Sequence, residues 1–337
     1  MGFLSGRLTY VRFQVIGDSP LPFGEEALEQ VRRHAIERHS APAADGVRFG
    51  WSGGDHVLDL TFELEKNVLV DALHLAMRVD TDTIPSALLR AYTQIETDAR
   101  ARLSPTGFAT KAQREEAKEA ARIRAEAEAA DGRFLRMKHF PILWDGVSNV
   151  LYAGTTSGAV IERLRNLCRE TFDRTLEPIT AGSLACSQAQ VRGHAQAVAD
   201  AGPVSFLGDG AGSGTVAWAD PAAPGPDFWG NEFLLWLWHT LQADGDTLRL
   251  ADGSEATVMM AKTLTLDCPR GETGRDNLTD AGPTRLPEAH RALQAGKLPR
   301  RAGLVIVRHG AEYELTLQAE TLAVSGAALP KAEGASG

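Results

Sequence analysis

Cysteine is scarce in this chain: three in 337 residues, an odd number, with Cys168, Cys186 and Cys268 far apart and no C-x-x-C pair. That excludes a disulfide framework and a Cys-based zinc site, and it fits reduced, mostly buried thiols in the cytoplasm. The nine histidines are scattered, without H-E-x-x-H or a Cys/His spacing that closes a metal shell, and no G-x-S-x-G is present. No metal and no cofactor are expected. Long apolar runs are also missing. The most apolar one, residues 233–238, falls far short of the roughly 20 residues of a membrane helix, and no charged-then-apolar leader opens the sequence. The expectation is a cytoplasmic chain that makes no use of a membrane, for which the sequon at Asn277 has no meaning.

What is present is ordinary for a globular protein: 43% apolar and 23% charged residues, with enough length for two domains or one elaborate one. A formal net charge of -9 argues against a surface that seeks nucleic acid everywhere. Any DNA contact must come from local patterning.

The patterning is concentrated in residues 85–144. Pro85 suits the first turn of a helix, and a helix is expected over residues 86–103, broken by Ser104-Pro105-Thr106-Gly107. A second helix over residues 110–130 is rich in Ala, Glu, Lys and Arg, which lose little side-chain freedom in a helix. Ile123 is its only large aliphatic residue, so it is no core helix. Lys111, Arg114, Lys118 and Arg122 fall on one stripe, with Glu115, Glu119 and Glu126 beside it. Two readings stay open: a solvated face laced with i,i+4 pairs such as Lys111 with Glu115, or a cationic stripe that meets phosphates. The run Arg133-Phe134-Leu135-Arg136-Met137-Lys138 then leads into an apolar strand near residues 141–144.

Elsewhere, strands are expected at residues 8–16, 47–51, 56–64, 68–79, 141–145, 150–154 and 176–180, and helices at 24–39 and 158–172, the latter capped by Ser157. This order gives an α+β fold: antiparallel sheets with helices and a projecting charged helical pair. The division expected is an N-terminal α+β domain (1–84 and 135–185), a helical hairpin (85–134), a Gly/Pro-rich variable region (186–230), a C-terminal α+β domain (231–325) and a flexible tail (326–337). In the last three, residues 188–201 read as a helix, 233–241 as a buried aromatic helix and 286–295 as a helix ended by Gly296, with turns at Asp252-Gly253 and His309-Gly310 and fraying from Ser325. The glycine-rich loop at 208–214 lacks the Lys-Ser or Lys-Thr of a P-loop. Glu116-Ala117-Lys118, with Asp98 upstream, matches the E-x-K fragment of some metal-dependent nucleases, but it lies in a helix and not at a converging strand edge.

Three places give the chain a likeness. They are the N-terminal order ending at Ile84-Pro85, the charged pair running into Arg133-Phe134 and Leu143-Trp144-Asp145, and Glu288-Ala289 through Ala295-Gly296-Lys297 before the strand pair of residues 303–317. In these the sequence resembles the RdgC family of recombination-associated, DNA-binding proteins. The resemblance implies a homodimer closed into a ring, enclosing double-stranded DNA without sequence preference, associated with the nucleoid and restraining RecA-driven strand exchange. Residues 202–241 depart from the family's pattern. The DNA-facing candidates are Arg100, Arg102, Lys111, Arg114, Lys118, Arg122, Arg133, Arg136, Lys138 and Lys297, and no catalytic residue is expected. Phe134 is the candidate dimer contact, unless it packs on its own sheet. The alternatives are a metal-dependent nuclease and a protein-interaction scaffold that ignores DNA.

Overall fold

The computed structural model describes residues 3, 6–18, 22–37, 46–206, 216, 218, 227–269 and 274–328. The glycine-rich loop at 208–214 lies outside them. In chain order the elements are β1 (Arg7–Ile16), α1 (Glu25–Arg33), β2 (Val47–Ser52), α2 (Leu64–Asn67), β3 (Val68–Leu69), β4 (Ala72–Asp82), α3 (Ser86–Leu103), α4 (Lys111–Ala129), β5 (Leu135–Asp145), β6 (Val150–Ala153), α5 (Gly158–Phe172) and β7 (Thr175–Pro178). They continue with α6 (Ala181–Val191), α7 (Ala195–Asp200), α8 (Trp229–Ala243), β8 (Thr247–Arg249), β9 (Glu255–Asp267), β10 (Asp276–Asp280), α9 (Pro287–Gln294), β11 (Leu298–Arg308), β12 (Ala311–Gln318) and β13 (Val324–Ala328). The fold is α+β with antiparallel strand pairing, as expected. No helix among the described residues is long and apolar enough to cross a membrane.

The chain divides into two compact units: Met1–Glu26, Glu63–Leu75 and Phe140–Gly337 in one, Ala27–Phe62 and Ala76–His139 in the other. In the larger unit the strands run β10-β9-β11-β12-β13-β1-β6-β5, with β7 also on β1 and β8 on β9. One core of this unit is made of large side chains brought from α8 (Leu234, Leu237, Trp238) and β9 (Val258, Met260, Leu264, Leu266), closed by Ala289 and Ala292 of α9. Close backbone approach explains two glycines. A Cβ on Gly230 would lie 1.8 Å from the Ala319 carbonyl oxygen, and one on Gly303 2.2 Å from that of Ala261. Asn231, fully buried at the start of α8, donates to the Pro299 carbonyl (2.8 Å) and to Glu320 (3.1 Å), whose carboxylate also takes Arg300 (2.7 Å). At the other end of the sheet the Trp144 ring sits between Phe23 and Phe172, each 5.3 Å away.

In the smaller unit β2 pairs with β4, and α1 stops at Arg33 instead of reaching residue 39. The reason is competition from sheet-type bonds: Trp51 N donates to the His34 carbonyl and Ile36 N to the Trp51 carbonyl, which draws the chain out of the helix. No strand forms over residues 56–64. The buried Asp59 carboxylate takes Asp55 N, Thr61 N and the Thr61 hydroxyl, holding a loop instead. Buried Arg78 and Asp80 meet through two bonds of 2.7 Å.

Other expectations are corrected by local geometry. The strand expected over 68–79 is a β3–β4 hairpin that turns at Val70, whose φ is 57°. The helix expected over 188–201 is two helices, α6 and α7, parted at Gly193 with φ 74°. Ser157 precedes α5 without a side-chain capping bond. Ser325 does not begin a frayed end, because β13 pairs with both β1 and β12 as far as Ala328.

Candidate nucleic-acid interface

α3 and α4 form an antiparallel pair of 18 and 19 residues, each about 27–29 Å long at 1.5 Å per residue. Thr110 starts α4 with a capping box: its hydroxyl accepts from Gln113 N, and the Gln113 side chain accepts from Thr110 N. No residue of α3 is buried, and α4 buries only Ala117, Ala121 and Ala125. At a spacing of four these methyls form one row, and α4 packs on α3. Ile123 is exposed. The pair is tied across by the Tyr92 hydroxyl donating to Glu128 (2.7 Å), by the Arg124 guanidinium 4.1 Å over the Tyr92 ring, and by Arg100 with Glu116 (3.8 Å). The shared hydrogen bond pushes the Tyr92 hydroxyl up from its ordinary value and holds the Glu128 carboxyl below its own.

Residues 86–138 carry eleven Lys and Arg against eight Asp and Glu, a balance of +3 in a chain of net -9. The expected cations, however, divide into two classes. Lys118 pairs with Glu115 (2.8 Å), and Arg122 with both Glu119 (2.7 Å) and Glu126 (2.8 Å). Arg100 pairs with Glu96 (2.8 Å) and Arg133 with Glu128 (3.2 Å). The Arg122 bonds hold the Glu119 carboxyl below the usual carboxylate range. Lys111 does not pair with Glu115 as the i,i+4 spacing suggests. Among the described residues, Arg102, Lys111, Arg114, Arg136 and Lys138 are exposed and meet no carboxylate, Arg114 donating only to the Ala109 carbonyl (3.1 Å). Arg102, Lys111 and Arg114 flank the turn between the helices, and Arg136 and Lys138 share one face of β5. The C-terminal half of the α4 stripe is thus neutralised, while its N-terminal half and the two cations of β5 are not.

Lys297 corrects the expected set. It is buried in the larger unit, with its ammonium 2.8 Å from Asp276, and presents no open face to a phosphate. Phe134 is half-buried, and its carbonyl accepts from Thr83 N (3.4 Å). Among the described residues of this unit the most exposed large apolar side chains are Leu103 and Phe108, 86% and 78% exposed at the turn between the helices. Sequence reasoning passed over both. The available signal was an aromatic residue directly after the breaker Thr106-Gly107, in a stretch with no other large side chain to cover it.

Between the two helices runs an open groove of about 670 Å³ lined by Arg90, Gln94, Glu115, Lys118, Glu119 and Arg122 among others. Glu116 and Lys118 stand exposed on α4, and Asp98 is engaged by Gln94 (2.9 Å). Among the described residues no three His, Cys, Asp or Glu side chains converge where they could hold a metal ion. The chain matches no protein-family model and no curated protein.

Proposed function

We propose that this protein binds double-stranded DNA without regard to sequence, through the unpaired cations of its smaller unit, and that it acts as a homodimer. The observation that carries the reading is the set Arg102, Lys111, Arg114, Arg136 and Lys138, exposed and without a carboxylate on a segment of positive balance in an acidic chain. Such cations release counterions from the DNA backbone, a contact that positions without reading bases. The one amide side chain of α4 that could read an adenine edge, Gln113, is engaged in the capping box. The resemblance to the RdgC family supports the same reading and extends it to a ring-like dimer around the duplex, a nucleoid-associated place in the cytoplasm and a restraint on RecA-driven exchange. In this reading the protein is not an enzyme. A second reading, a protein-interaction scaffold, is favoured by Leu103 and Phe108, whose exposure suits a protein contact as well as a dimer.

The test is a titration of unrelated short duplexes and a plasmid at several salt concentrations, with and without magnesium, alongside light scattering. Affinities that agree between sequences and fall steeply with salt, from a dimeric protein, are the expected result. A monomer at working concentration removes the dimer. Binding that ignores salt, or none at low salt, leaves the scaffold. Magnesium-dependent degradation that Glu116→Ala abolishes moves the protein to the nucleases.

A further inference from the structure

The outer face of α8 is aromatic. Its inner face sends Leu234, Leu237 and Trp238 into the core, while Phe233 and Trp236 stand 41% and 52% exposed, their rings stacked 5.8 Å apart. Trp236 borders a cleft of about 400 Å³ whose walls include Phe206, Leu235, Trp238, His290 and Leu293. That volume is in the range of small-molecule sites. The Trp238 wall is itself fixed, buried in the core with the His290 ring 5.6 Å away.

Among the described residues no Lys or Arg lines this cleft and its one carboxylate is Glu232; His239, His290 and Gln242 complete its polar lining. One Glu232 oxygen accepts from Val204 N at 2.7 Å; the other has no donor among the described residues. Burial pushes the Glu232 carboxyl above its ordinary value, as expected of an anion that lacks a full set of partners. Indole and phenyl faces present negative potential, so rings and carboxylate favour the same kind of guest.

We propose that this cleft binds an organic cation, a substituted ammonium or a positively charged aromatic ring, with Trp236 and Phe206 giving ring faces and Glu232 the counter-charge. The site lies wholly in the larger unit and does not depend on DNA binding. Bases of single-stranded nucleic acid could also stack on such rings, but their phosphates would need Lys or Arg side chains, which the described residues of the cleft do not supply.

Calorimetric titration of the full chain with benzyltrimethylammonium, benzyl alcohol and benzenesulfonate holds the aromatic group constant and varies only the charge. The expected result is saturable binding of the cation, tighter than that of the neutral and anionic probes by about tenfold. Glu232→Gln keeps an acceptor for Val204 N and removes the charge; it should erase most of that preference and leave benzyl alcohol and duplex DNA binding unchanged. Trp236→Leu keeps apolar bulk without a ring face and should also weaken the cation, with helix content checked by circular dichroism. Equal affinity for the three probes, tighter binding of the sulfonate, an unaffected Glu232→Gln, or no saturable binding would each overturn the proposal.

Discussion

α4 buries three alanines and nothing larger, whereas α8 buries Leu234, Leu237 and Trp238. The two helices are of similar length, yet different forces hold them. α8 joins a core of Leu, Met, Val and Trp side chains, each losing a large apolar area from water, and its place is fixed by burial. α4 has little apolar area to lose. Its helix rests on intrinsic propensity, the Thr110 capping box and a lattice of surface ion pairs, each a small contribution. The lesson is that a polar helical pair keeps its outer surface free for charge because nothing on that surface is needed for a core.

Core truncation and overfilling separate these two kinds of packing. Leu264→Ala, at a fully buried position of β9, should cost about 2–5 kcal/mol in urea unfolding, because transfer energy is lost and a cavity is left. Ala121→Leu asks the opposite question. Leu matches Ala closely in helix propensity, so a loss of about 1–3 kcal/mol there measures only the tightness of the methyl row. Ala127→Leu, exposed on the same helix, should stay within about 0.5 kcal/mol of the parent. Equal effects at Ala121 and Ala127 would mean that α4 does not pack through its alanines.

Where the sequence was legible, the signals were local. α3 and α5 have the expected bounds, residues 86–103 and 158–172, because Pro85, the Ser104-Pro105 break and a 3.6-residue apolar spacing are all written within a few positions. The turns at Gly253 and His309-Gly310 follow from backbone that takes positive φ. What was lost depends on distant partners. Residues 56–64 alternate like a strand, but the Asp59 carboxylate claims the backbone, and α1 ends early because Trp51 supplies sheet bonds. The stripe of α4 was visible as a spacing, but which cations stay free was not. Lys118 takes the carboxylate three residues away, and Arg122 takes two at once. Lys297 follows a glycine cap that reads as surface, and its burial against Asp276 has no local signal. Residues 233–241 were expected to form a buried aromatic helix, and of their aromatic side chains Trp238 is buried while Phe233 and Trp236 are exposed.

Charge variants test whether the free cations around the start of the stripe differ from its paired C-terminal half. Changing Arg102, Lys111 and Arg114 together to Ala should lower the slope of log affinity against log salt by up to about 2.7, at 0.9 per phosphate contact. Removing the pair Lys118 and Glu115 together leaves the net charge unchanged and should leave the slope nearly so, since that ammonium is already engaged. A double variant that weakens binding as much as the triple one would show that phosphates displace Glu115, and the distinction between paired and free cations would fall.

The smallest effect expected is in acid. The Glu119 and Glu128 carboxyls titrate below their ordinary value of 4.5 because Arg122 and Tyr92, respectively, bind the charged form. A depressed folded-state value means the stabilisation is complete above 4.5 and is lost as the pH falls through the lower, folded value. Tyr92 works in the other direction: its raised value means stability that is present below 10.0 and lost as the pH climbs through the folded value. Between these limits the helical pair should be insensitive to pH. Global unfolding cannot isolate this, because Asp145, Asp252 and Glu314 in the larger unit are depressed as well. Amide exchange of α3 and α4, compared with that of β9 and β11, reads the pair alone. Protection in the helices should decline first on acidification, and Glu128→Gln, which still accepts from Tyr92 but cannot titrate, should blunt that decline. If the helices and the central strands lose protection together, the ion pairs add nothing measurable, and propensity with the alanine row is what holds the pair.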